Sequence, residues 1–202
     1  IMFGALVATA TWVLCGQAEP GEPAVEKELG SPPDFELRIP ATHPYLTLTC
    51  QDIERAKDRA SRWDWAKQAI ERCRSEADGY VRRPWDKLPD KGDTEHRSIA
   101  RRLFSAGLAY ALSGEDRYAE WARDGLVAYA GLYPRLPLTN GRCKMFTQSS
   151  LYEATWLVDI VRAYDLVAGS RVFSADQKRQ VESDLLRASL ACFKIDDFQN
   201  DP

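Results

Sequence analysis

The chain has 202 residues, of which 45% are apolar and 28% charged, with 12 Gly and 11 Pro. That composition excludes collagen-like and low-complexity chains and is long enough for a full hydrophobic core, with one domain as the prior. Lys and Arg number 27 against 30 Asp and Glu, a net charge of −3, which lacks the basic excess of a nucleic-acid binder. With two His, five Cys and no Gly-rich phosphate loop, the sequence calls for no metal and no cofactor.

Residues 1–18 carry no charge: an apolar run from Met2 to Leu14 precedes the small-residue site Gly16-Gln17-Ala18. This is the pattern of a secretory signal peptide, too short to span a bilayer, and it predicts a secreted or periplasmic protein with no stable membrane insertion after cleavage. The basic region that normally opens such a peptide is missing and Ile1 is not an initiator, so the start is expected to lie upstream. Residues 19–40, rich in Pro, Glu and Gly as far as Pro33, read as an exported linker. Cys50, Cys73, Cys143 and Cys192 would remain after cleavage. They are compatible with up to two disulfides in any of three pairings, or with thiols on helix faces.

From Pro40 the elements are helical. Thr49 with Asp52 forms a capping-box start, and Ile53, Ala56, Ala60, Trp63, Ala66, Ile70, Cys73 and Ala77 recur at three and four, predicting one long helix to about Gly79. A loop with Pro84 and Pro89 follows. Helices are then predicted over 94–113, stopped by Gly114, and over 116–132, ending ahead of Pro134. A second loop carries Pro137 and Asn140-Gly141. Ser150 with Glu153 opens a fourth helix that runs to Gly169, and Ser174 with Gln177 opens a fifth that reaches Cys192. No segment alternates apolar and polar residues over strand length. The fold class is therefore all-α, built of helical hairpins joined alternately by short turns and long loops.

Three stretches carry a resemblance: His43-Pro44-Tyr45-Leu46 with Thr49 and Asp52; the run from Gly107 to Ala119; and Ser150 to Trp156 continuing to Ala163-Tyr164-Asp165-Leu166-Val167. Together they resemble the α/α-toroid polysaccharide lyases, the alginate lyase and heparinase II/III-like group, over roughly His43 to Pro202. The resemblance implies that residues 41–202 are the N-terminal part of an incomplete (α/α) toroid lyase domain, broken off before its close. It also implies cleavage of an acidic, uronate-containing polysaccharide by β-elimination. In that chemistry a donor neutralises the uronate carboxylate, a Tyr or His takes the C5 proton, and a Tyr protonates the leaving oxygen. The catalytic residues of the family are expected beyond Pro202.

Within the chain the candidate substrate contacts are Gln148, Tyr152, Glu153 and Trp156. Tyr152 and Trp156 stand one turn apart, where aromatic faces stack on sugar rings, and Gln or Glu binds hydroxyls. The alternative is that the two aromatics are plain core and that Glu153 only caps its helix. Arg97, Arg101, Arg142 and Lys144 are placed to attract a polyanion. His43 is expected to position or pack, and His96, near a helix start, to be solvated. Two other functions stay open. One is a glycoside hydrolase on the same ring, which requires two opposed carboxylic acids, whereas Glu153 and Asp159 share one helix. The other is a non-catalytic helical carbohydrate-binding module, for which the hairpins lack a fixed repeat.

Overall fold

The computed structural model describes residues 40, 42–83, 85, 87–89, 94–138, 143–146 and 150–193. The expected signal peptide and the linker up to residue 39 lie outside the described residues, as do Arg142, Gln148 and Asn200. Seven α-helical segments follow one another: α1 (Cys50–Arg62), α2 (Asp64–Val81), α3 (Thr94–Ser113), α4 (Asp116–Leu132), α5 (Ser150–Ala168), α6 (Ala175–Gln180) and α7 (Ala188–Leu190). No strand occurs among the described residues, and none of their helices is long and apolar enough to cross a membrane.

The capping signals act as the sequence indicates. The Thr49 side chain accepts from Asp52 N, and the Asp52 carboxylate accepts from Thr49 N at 3.0 Å; Ser174 and Gln177 repeat the exchange at α6. Gly114 ends α3 with φ +76°, a left-handed conformation that a Cβ would strain.

Two expectations are corrected. The single helix from residue 50 to 79 is broken at Trp63, which is extended at φ −132°, ψ 121° between α1 and α2. Neither Gly nor Pro marks the break. Trp63 ends α1 through its N–H bond to Arg59 O, and Asp64 supplies negative charge to the first turn of α2, where the helix dipole favours it. The fifth helix is the second case. After α6 the backbone winds as a π-helix over Val181–Arg187, then as α7, then as a 3₁₀ turn over Ala191–Phe193. Val181, Leu185 and Ser189 nonetheless stay buried on one side.

Helix α3 is the centre of the packing. It lies most extensively against α5 and also against α4 and α2. Leu103, Leu126, Tyr129, Trp156, Ile160 and Val167 form the heart of the core, while Ala77, Ala109 and Tyr118 make a smaller cluster between α2, α3 and α4. Gly107 lets α3 and α5 approach, since a Cβ there would meet Leu166 Cβ at 3.1 Å. Among the described residues Cys50, Cys73, Cys143 and Cys192 are free thiols: Cys50 is exposed, Cys143 is buried outside the helices, and Cys73 and Cys192 are half-buried.

Candidate functional site

The N-terminal turn of α5 carries three of the four candidate contacts, and their surroundings differ sharply. Glu153 is fully buried. Its carboxylate accepts from the backbone N–H groups of Lys144 (2.8 Å), Met145 (2.9 Å) and Phe146 (3.3 Å), and from the Tyr133 hydroxyl (2.5 Å). Three amides and a phenol replace the water that a buried carboxylate loses. Tyr133 is driven far above its ordinary pKa by burial first, then by its hydrogen bonds to Cys192 and Glu153, so the phenol stays protonated and remains a donor. Glu153 therefore shapes the 143–146 segment from beneath. It is corrected from a hydroxyl-binding residue, because its acceptor sites are already filled.

Trp156 is 1% exposed, stacked on Tyr133 (5.9 Å, 8°) and edge-on to Tyr129 (5.3 Å). No face is left for a sugar, which corrects the stacking expectation at this position. Tyr152 is 41% exposed. The Arg97 guanidinium lies 5.2 Å above its ring and Phe146 meets it edge-on at 6.5 Å. Lys144 places its ammonium 5.4 Å from the Tyr133 ring, and Arg101, one helical turn after Arg97, is exposed. At the surface the Tyr152 ring carries the Arg97 guanidinium, whereas Lys144 lies against the buried Tyr133 ring. Gln148 and Arg142 belong to the same stretch of sequence but are not among the described residues.

A second polar centre fastens the start of the domain to α5. Asp165, 1% exposed, accepts from Tyr45 N (3.1 Å) and Leu46 N (2.8 Å), and His43 Nδ1 stands 2.7 Å from Asp165 Oδ1. A carboxylate only accepts, so Nδ1 is the donor. The His43 ring stacks on Tyr45 at 4.8 Å and meets Tyr164 edge-on at 5.9 Å. Burial, reinforced by a hydrogen bond to Glu182, raises the Tyr164 phenol above its ordinary pKa. This His–Asp pair has no partner signal in the sequence, since 122 residues separate its members. His96 is corrected: it is buried, 1% exposed, with Nδ1 3.0 Å from the Tyr129 hydroxyl. Helix α4 brings that hydroxyl to the start of α3.

Among the described residues no group of three or more His, Cys, Asp or Glu side chains is arranged to hold a metal ion. Glu153 and Asp159 do not face one another as an opposed carboxylic pair, because Glu153 is consumed by the 143–146 amides.

No family model matches the chain. It is 28% identical over 165 residues to an exo-oligoalginate lyase of Saccharophagus degradans, a stretch that is 73% of this chain and 22% of that protein. It is 31% identical over 172 residues to an alginate lyase of Stenotrophomonas maltophilia, covering 79% of this chain and 22% of the relative. The chain thus spans about a fifth of the length of the curated relatives it matches. Both likenesses support kinship with the polysaccharide lyases.

Proposed function

We propose that this chain is the N-terminal part of an exported polysaccharide lyase that cleaves a uronate-containing polysaccharide, alginate or a similar acidic glycan, by β-elimination. The observation that carries the reading is the likeness of nearly four-fifths of the chain to an alginate lyase. The all-α hairpins support placing it in an (α/α) toroid. Val158 on α5 and Leu190 on α7 stand exposed, as side chains would if a further hairpin continued the ring against them.

In this reading Tyr152, with Arg97 over its ring, forms a groove contact for the sugar chain, joined by Lys144 and Arg101. Trp156 and Glu153 support that contact from below. The cations attract the polyanion and offset its charge. Elimination removes the C5 proton, moves that electron pair into the C4–C5 bond and expels the C4 oxygen, which leaves protonated. Charge then develops beside the uronate carboxylate, so a preorganised donor at that carboxylate stabilises the transition state by several kcal/mol. The proton-transferring groups are proposed to come from chain beyond Pro202, so this piece alone is expected to be inactive.

Incubating the longer protein with alginate tests the proposal. Elimination gives an unsaturated uronate end that absorbs in the ultraviolet; chain shortening without that absorbance would assign a hydrolase, and binding without shortening a carbohydrate-binding module. Within the lyase, Tyr152→Ala and Arg97→Ala should each raise KM about fivefold with kcat nearly unchanged, since each removes a contact of about 1 kcal/mol made equally in ground and transition states.

A further inference from the structure

A cavity of about 270 Å³ lies where the end of α2, the segment around Trp85, α3 and α4 come together. Its walls are aromatic and basic: Tyr80, Trp85 and Trp121, with Arg83, Lys87 and Arg102, against a single carboxylate, Glu95. The aromatics brace one another, Trp85 edge-on to Trp121 at 4.6 Å and Tyr80 near-parallel to Trp121 at 6.4 Å. Trp121 is held by donation from Nε1 to Arg83 O at 3.2 Å. Gly125 admits Trp85, because a Cβ there would lie 2.8 Å from Trp85 Cη2. Among the described residues the Trp85 Nε1 donor is buried without a hydrogen-bond partner, and buried polar groups are nearly always satisfied. The Arg102 guanidinium lies 5.6 Å above the Tyr80 ring, and neither it nor Arg83 is ion-paired among the described residues.

These groups answer the two parts of an acidic sugar. Aromatic faces take the apolar side of a pyranose ring, and guanidinium groups take a carboxylate through paired N–H bonds. The volume falls just below the range of about 300–1,000 Å³ usual for small-molecule pockets, which fits a short unit. On α3 the lining residues Glu95, Ile99 and Arg102 recur at four and three, one face of a helix. Arg97 and Arg101 fall near the opposite side, so the cavity is separate from the Tyr152 surface.

We propose that this cavity is a second binding site for a uronate unit, with its ring against Trp85 and Trp121 and its carboxylate on Arg83 and Arg102. The choice of a uronate rests on the lyase reading above; the anionic-sugar chemistry rests on the walls. Tyr80, the phenol in its lining, donates to Glu76 at 3.1 Å.

The test is an NMR titration of the indole N–H signals of the full chain with an alginate trisaccharide and, separately, with a neutral trisaccharide. The Trp85 and Trp121 signals, assigned through Trp85→Phe and Trp121→Phe, should shift saturably with the acidic sugar only. Arg83→Ala with Arg102→Ala should raise Kd at least tenfold while the circular dichroism of the helices is retained. Static indole signals, equal shifts with the neutral sugar, or an unchanged Kd in the double variant would each overturn the proposal. Ultraviolet product formation by the longer protein is read in parallel. Turnover with static indoles removes this site and leaves the lyase reading standing; saturable acid-specific shifts without turnover do the reverse.

Discussion

Replacing Glu153 by Gln keeps the shape of the side chain and puts an NH₂ group among donors. With two or more charge-assisted bonds lost in a dry site, the variant should be destabilised by about 3 kcal/mol in urea unfolding. A loss under about 1 kcal/mol would mean that water reaches the carboxylate. The sequence marked Glu153 as a helix-start residue and paired it with its neighbours on α5. It did not reveal the role, because the partners Lys144, Met145 and Phe146 precede the helix and Tyr133 lies 20 residues back. Tyr152 and Trp156 show the same limit: spacing put them one turn apart, and only the packing of Tyr129 and Tyr133 from α4 and the turn after it decided which one is buried. For His43 and Asp165 no local pattern exists to be read, as their pairing is made by tertiary structure alone.

Glycines separate two kinds of helical position. At Gly125 in α4 a Cβ would stand 2.5 Å from Leu103 Cδ2, so Gly125→Ala should overpack the α3–α4 contact and lower stability by about 2 kcal/mol. At Gly131, near the end of the same helix, nothing lies within 4 Å. There alanine restricts the unfolded chain and favours the helix, so Gly131→Ala should raise stability by about 0.7 kcal/mol. Melting temperatures of the two variants moving in the same direction would contradict the packing described for α4. At this scale the sequence was largely legible, because α3, α4 and α5 combine strong apolar periodicity with clear stops and starts: Gly114, the Ser150–Glu153 pattern and Pro134. The break at Trp63 was not legible. The apolar period continues through it, and the backbone departs from the helix at one residue with no Gly or Pro. The π-helix after α6 was hidden for a related reason, since the spacing of Val181, Leu185, Ala188 and Cys192 is that of an ordinary helix.

Across the molecule, α2 and α4 are tied by a charged network. Arg117 Nη2 lies 2.7 Å from Asp78 Oδ1, the buried Tyr118 hydroxyl donates to Asp78 at 2.8 Å, and Glu115 joins Arg74 to Arg117 at 2.6 and 2.9 Å. The Tyr118 hydrogen bond, followed by the Arg117 charge, holds the Asp78 carboxyl below its ordinary value of 3.8. A folded value below the unfolded one makes this contribution complete above about pH 4 and removes it as pH falls through the folded value. The wild type should therefore lose more stability between pH 7 and pH 3 than Asp78→Asn does. Equal losses in urea unfolding at the two pH values would show that the network does not couple to folding.

The overall class, an all-α chain of hairpins, followed from the lack of any strand-like alternation together with five capped or punctuated helical runs. The relation to alginate lyases could not follow from such patterns, which any helical array shares, and came from residue identities such as His43-Pro44-Tyr45-Leu46. The proposed function requires that uronate linkages be broken by elimination. Its most direct test is mass spectrometry of the products released from a purified oligouronate. Elimination predicts one product lighter by a molecule of water than the corresponding sugar fragment, carrying the C4–C5 double bond. Products that have all gained the elements of water would rule out elimination and identify a hydrolase.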